Sequence, residues 1–231
     1  MLKLIRLEMR KFQIGKYVRG AFIAGFVIFA LLCFLAYAEE SEGGVAFPTY
    51  SDAFYIIDTM VRGTFIVFAA TLIARIVIGE YKNKTITLLF MYPVNRRKLI
   101  VAKLMIVVLF TIAAIVYTDL MVSCAFYLFD HYANVVPEEL TGSIVSKTAV
   151  SMGMNALAAG FMGLIPLFFG MRKLSVSTTI VSSLGVVLLV CSGSNEMSLN
   201  SIIAIPITLA VIGFVIAYLA IRKVEHVDVA A

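Results

Sequence analysis

Six apolar stretches set the terms for this chain: 18–38, 54–78, 104–129, 148–170, 174–192 and 200–221. Each is long enough to cross about 30 Å of hydrocarbon at about 1.5 Å per helical residue. A backbone inside a bilayer must satisfy its own N–H and C=O groups, so runs of this length read as membrane-spanning helices. Together they take up well over half of the 231 residues and leave no room for a separate soluble domain. Composition agrees, with 61% hydrophobic and 14% charged residues against about 25% charged in soluble domains. Mean hydropathy is +1.00. The expected fold class is an all-α membrane protein of six transmembrane helices, one domain over residues 1–231.

A formal charge of +5 invites a nucleic-acid reading until the charges are placed. With the N-terminus on the cytoplasmic side, the inner segments hold Lys3, Arg6, Arg10, Lys11, Lys16, Arg19, Lys82, Lys84, Arg96, Arg97, Lys98, Lys103, Arg172, Lys173, Arg222 and Lys223. Lys147 alone is outer, while Arg62 and Arg75 lie within the second stretch. The outer loops carry acids instead: Glu39, Glu40, Glu42, Asp52, Asp130, Glu138, Glu139 and Glu196. Lys/Arg bias sets orientation, so both termini are expected in the cytoplasm and no nucleic-acid partner is expected. Ala36-Tyr37-Ala38 mimics a signal-peptidase site, but the apolar run before it exceeds the usual 7–15 or so residues of a signal-peptide core. Cys33, Cys124 and Cys191 show no metal-type spacing and read as small apolar residues, with a disulfide left open.

Two inner segments carry more than topology. Leu2, Ile5, Met9 and Phe12 share one helical face, while Lys3, Arg6, Arg10 and Gln13 line another. Residues 1–17 therefore read as an amphipathic helix lying in the membrane interface, or simply as an orientation signal. Between the second and third stretches, 79–103 runs from a charged entry into the apolar patch Leu88, Leu89, Phe90 and Met91, then Pro93 and a basic cluster. Such a patch is costly in water, so it enters the bilayer or meets a partner.

The residues Glu80-Tyr81, Lys84-Thr85, Leu88-Leu89, Pro93, Arg96-Arg97-Lys98 and Lys103 resemble the cytoplasmic loop of type-2 ABC exporter permeases. In that family the loop forms a coupling helix that docks on the ATPase subunit. The resemblance implies coupling roles for Glu80, Tyr81, Lys84, Thr85, Leu88, Leu89, Phe90, Pro93, Arg96 and Arg97. The compact bacterial members that export, or confer resistance to, bacitracin, lantibiotics and phenol-soluble modulins are the most similar. The chain contains no G-x-x-x-x-G-K-[ST] phosphate loop, so ATP and magnesium are expected on a separate cytoplasmic ATPase, with no cofactor on this chain. Six spans make half a transporter, which implies a second permease copy or a paralogue. The implied function is ATP-driven export of amphipathic or antimicrobial-type peptides across the bacterial cell membrane.

Polar residues inside the stretches stand out because a lone charge at mid-membrane costs about 2.5–3.5 kcal/mol on insertion scales. Asp58 and Arg62 lie one turn apart in the second stretch, and Asp119 lies in the third. Arg62 and Asp119 come at similar depths, about 24 and 22 Å from the inner ends, so an ion pair between them is expected. That pair reads either as a clamp between spans or as a gate on a translocation path. Arg75 is close enough to the inner surface to snorkel. Gly153, Ala156, Gly160 and Gly163 form a small-residue stripe suited to close helix packing. Pro166 and Pro206 are expected to bend their spans.

Catalysis is not expected, because His131 and His226 both fall outside the stretches and no metal-type cluster accompanies them. The Glu39–Glu40 and Glu138–Glu139 pairs read as solvated acids. The alternative to an exporter is a six-span substrate-binding subunit of an ATP-driven vitamin uptake system. Such a subunit has no need of an ATPase-docking loop, so 79–103 argues against it.

Overall fold

The computed structural model describes residues 14–41, 47–82, 96–133, 135–138, 140–191 and 199–223. Apolar runs in this chain have no sheet edge to pair with, and the described residues are helical throughout their regular segments. The helices are α1 (Ile14–Ser41), α2 (Tyr50–Ile73), a π-helical turn (Ala74–Ile78) and the short α3 (Gly79–Lys82). They continue with α4 (Arg96–Ala133), α5 (Gly142–Met162), α6 (Ile165–Lys173), α7 (Val176–Cys191) and α8 (Leu199–Lys223).

All six apolar stretches fall on helices. Among the described residues four segments are long and apolar enough to cross a membrane: Gly15–Glu39, Tyr50–Lys82, Lys98–Ala133 and Gly142–Lys173. Two further helices are apolar, Val176–Cys191 and the stretch Ile207–Ile221 within the 25 residues of α8. The expected stretch at 174–192 is trimmed because Leu174 adopts a left-handed backbone with φ of 46°, which ends α6 and turns the chain into α7. The described part of this helix has 16 residues and begins at Val176. At 38 residues, α4 reaches about 57 Å and projects well beyond the hydrocarbon thickness.

Helix α2 is the hub and packs on α4, α5 and α7. Its span is 72% buried, against 28% for α1, which lies at the edge on α4 and α2. Small side chains permit this crowding, since Ala53, Ala69 and Ala70 are fully covered. Without a hydrophobic drive between helices in lipid, such close van der Waals contact is what holds a bundle together. The start of α2 is fixed locally: Thr49 Oγ1 accepts the Asp52 N–H at 3.2 Å and donates to the Asp52 carboxylate at 2.8 Å.

The stripe on α5 divides. A Cβ on Gly160 would come within 2.5 Å of Ile112 on α4, and one on Gly163 within 2.8 Å of Ala69 on α2. Ala156 is fully buried between them. Gly153, by contrast, faces empty space, so it takes no part in that packing. Pro166 does more than bend its span: the helix stops at Met162 and restarts at Ile165, with Pro166 in the first turn, where its missing N–H costs no bond. The turn is closed by Leu164 N–H to Phe161 O, 3.0 Å, and Leu167 N–H to Leu164 O, 3.0 Å. Helix α8 runs unbroken through Pro206 and meets α5 at Gly213, where the Phe161 backbone leaves no space for a side chain. Large apolar side chains such as Phe26, Phe34, Leu188 and Phe214 point away from the bundle, a surface suited to hydrocarbon.

Candidate functional site

Glu80 follows a helical turn that has taken up one extra residue. In the π-turn Ala74–Ile78 each hydrogen bond spans one residue more than in an α-helix, so the turn widens to hold that residue. Glu80 faces inward and is 7% exposed. There it meets Lys103 of α4, Nζ to Oε2 at 2.7 Å, with Lys103 only 1% exposed. The same ammonium donates to the Ile76 carbonyl within the π-turn at 3.1 Å. The two chain ends that lead into residues 83–95 are thus joined by a buried, charge-assisted bond. Glu80 is one of the expected coupling residues, and Lys103 closes the loop motif on the inner side; its burial was not foreseen, although its position one residue before an apolar stretch was a signal for it. Tyr81 is half-buried and its hydroxyl has no hydrogen-bond partner. Arg96 and Arg97 open α4. Lys84, Thr85, Leu88, Leu89, Phe90 and Pro93, like residues 1–13 of the expected interfacial helix, lie outside the described residues.

A second polar group lies deep in the bundle. Asp58 and Arg62 on α2 are 3% and 4% exposed, and Asp119 on α4 is 3% exposed. The expected Arg62–Asp119 pair does not form. Arg62 turns instead to Asp58, one helical turn away, with Nη2 to Oδ2 at 3.3 Å, and to Thr59 Oγ1 at 3.4 Å. Equal depth on two helices fixes height but not the direction each side chain faces, and a partner on the same helix at i,i+4 is always within reach. The bond between spans comes from a residue that sequence reasoning passed over. Asn155 on α5 donates its amide to Asp58 Oδ2 at 2.9 Å. Its signal was an amide amid apolar neighbours at the centre of a stretch. Both oxygens of Asp119 remain without a hydrogen-bond partner among the described residues, as does the nearby Ser123 hydroxyl.

At the predicted outer end, Asp130, expected in an outer loop, is 5% exposed. It accepts from the Tyr50 hydroxyl and from the Val136 N–H, the latter at 2.8 Å. Glu138 accepts the Tyr50 N–H at 3.2 Å, one of the donors that every helix start leaves unpaired. The start of α2 and the end of α4 are tied together there, as α3 and the start of α4 are by Glu80 and Lys103 at the other end. Arg75 has a role beyond snorkelling: its guanidinium stacks 5.9 Å from the Tyr17 ring and links α2 to α1. The three cysteines are free.

A family profile described as ABC-2 family transporter protein matches residues 4–180. The chain is 43% identical over 227 residues to YcbO, an uncharacterized protein of Bacillus subtilis strain 168, an alignment that covers 98% of this chain and 100% of that relative. No solved structure matches it. Proteins of this family are the membrane subunits of ABC transporters and work with a cytoplasmic ABC ATPase, which agrees with a bundle of long apolar helices. The chain therefore belongs to the ABC-2 family of transporter proteins, as a multi-pass permease subunit in the bacterial cell membrane.

Proposed function

We propose that this permease is half of an exporter that carries amphipathic, antimicrobial-type peptides out of the cell. It would have six spans, both termini in the cytoplasm, and residues 79–103 as its coupling segment. The observation that carries the reading is the buried Glu80–Lys103 bond at the base of residues 83–95. A loop that receives a push from an ATPase needs a stiff root, or the motion is lost in the loop. Here both ends of the loop enter one hydrogen-bonded unit, so a displacement reaches α2 and α4 together. Because α2 is the hub, tilting it shifts α5 and α7 as well. ATP and magnesium act on the partner ATPase, and its closure shifts the permease between inward-open and outward-open populations. The second half of the pathway comes from another copy or a paralogue. Vitamin uptake is not favoured, because it gives this coupling segment no role.

The test is affinity purification of the full chain from its native membrane under gentle extraction, beside Leu88→Asp/Leu89→Asp. The wild type is expected to retain a P-loop ATPase, with two permease and two ATPase chains by native mass spectrometry. The variant is expected to lose the ATPase while still reaching the membrane. An ATPase indifferent to the change would place docking elsewhere.

A further inference from the structure

Asp119 lines a cavity of about 170 Å³ between α4 and α5. Its walls include Val116 and Ser123 from α4, Thr148 and Gly153 from α5, and Phe54 from α2 at the back. Most of that wall is hydrocarbon. Within it stand the two unpartnered oxygens of a carboxylate that is 3% exposed.

The charges around it do not cancel. Arg62 is committed to Asp58, and the Asn155 amide is spent on the same Asp58 oxygen. Asp58 and Arg62 balance one another, so the formal charge left at this depth is the one on Asp119. A carboxyl in hydrocarbon either takes up a proton or keeps its charge beside a cation that brings N–H donors with it. A hard inorganic cation would want about six oxygens, and the wall offers one carboxylate and two hydroxyls. Among the described residues no three His, Cys, Asp or Glu side chains come together as a metal site. An alkylammonium suits the place better, because its head gives donors to Asp119 while its stem lies against Val116 and Phe54. The volume sets an upper limit: an engineered apolar cavity of about 150 Å³ holds one benzene. One amine-bearing arm enters, and a whole peptide does not.

We propose that this cavity is a binding site for a protonated amine carried on an apolar stem, with Asp119 as its counter-ion and Gly153 keeping the entrance open. The proposal rests on the export reading and narrows the cargo to cationic amphiphiles that present such an arm.

The test uses the full-length permease alone in phosphatidylcholine nanodiscs, titrated calorimetrically with octylammonium, octanol and potassium chloride, with empty nanodiscs subtracted. Octylammonium is expected to bind saturably, while octanol only partitions and potassium neither binds nor competes. Asp119→Asn should weaken octylammonium about tenfold or more through loss of the charge-assisted bond. Gly153→Leu, whose Cβ would meet nothing within 4 Å and whose remaining atoms would occupy the cavity, should abolish saturable binding. Equal binding by Asp119→Asn, no saturable binding by the wild type, or displacement by potassium would each overturn the assignment. The wild-type ligand series stands even if a variant fails to fold. No ATPase is present in this measurement, so its failure is separate from a failure of ATPase docking.

Discussion

Removing the Glu80 carboxylate strands a Lys103 ammonium that is 1% exposed. Breaking a buried pair from one side costs about 3–5 kcal/mol, because the remaining charge keeps its desolvation penalty without its partner. Glu80→Gln is therefore expected to lower the thermal midpoint of the detergent-purified protein sharply. The three free cysteines allow this to be followed with a thiol-reactive dye. Glu80→Gln/Lys103→Met removes both charges, and most of the loss should be recovered. If the single and double variants melt alike, the pair does not hold the loop root. At this scale the sequence was read best where a residue's chemistry is insensitive to its neighbours. Asp58, Arg62 and Asp119 were visible as charges in apolar runs. Their pairing was not, since it depends on the rotation of α2 and α4 about their axes. The burial of Asp130 and Lys103 was not visible for a related reason: position near a span end places a charge on one side of the membrane, but a long helix can draw its terminal charges into the bundle.

Among the helices, the glycines in or capping α5, α7 and α8 separate into two kinds, and Gly→Ala should separate them too. At Gly163 and Gly213 the added methyl meets Ala69 and the Phe161 carbonyl, neither of which can swing aside. Overpacking of that sort costs about 1–3 kcal/mol, so both variants should be less stable. At Gly153 and Gly185 nothing lies within 4 Å, and alanine should gain about 0.5–1 kcal/mol of helix propensity. Melting of the four single variants checks the order, and a destabilised Gly153→Ala would show that the space beside it is filled. The existence of the helices was legible, because a long apolar run has few ways to fold in lipid. The break at Gly163–Leu164 and the shortening of the fifth stretch were less so. They depend on a left-handed Leu174 and on where a proline falls within a helical turn, and apolar length carries neither.

For the molecule as a whole, α2 is held at both ends, by Tyr50 to Asp130 and by Glu80 to Lys103, with Asn155 bracing it midway. A rod fastened in that way moves as one piece, as transmission from a docking loop to distant helices requires. The fastening includes the π-turn Ala74–Ile78, whose Ile76 carbonyl accepts from Lys103 at 3.1 Å. Deleting one residue there would restore regular α-helical hydrogen bonds and leave Glu80 in phase with Lys103, because the wide turn only takes up one extra residue. Such a deletion is expected to keep both the helix content measured by circular dichroism and the thermal midpoint, and a midpoint lowered as far as in Glu80→Gln would show that the wide turn itself holds the loop root. In this chain the π-turn works as slack in chain length near position 76, so related sequences aligned across it with a gap there would be expected to address a partner placed in the same way.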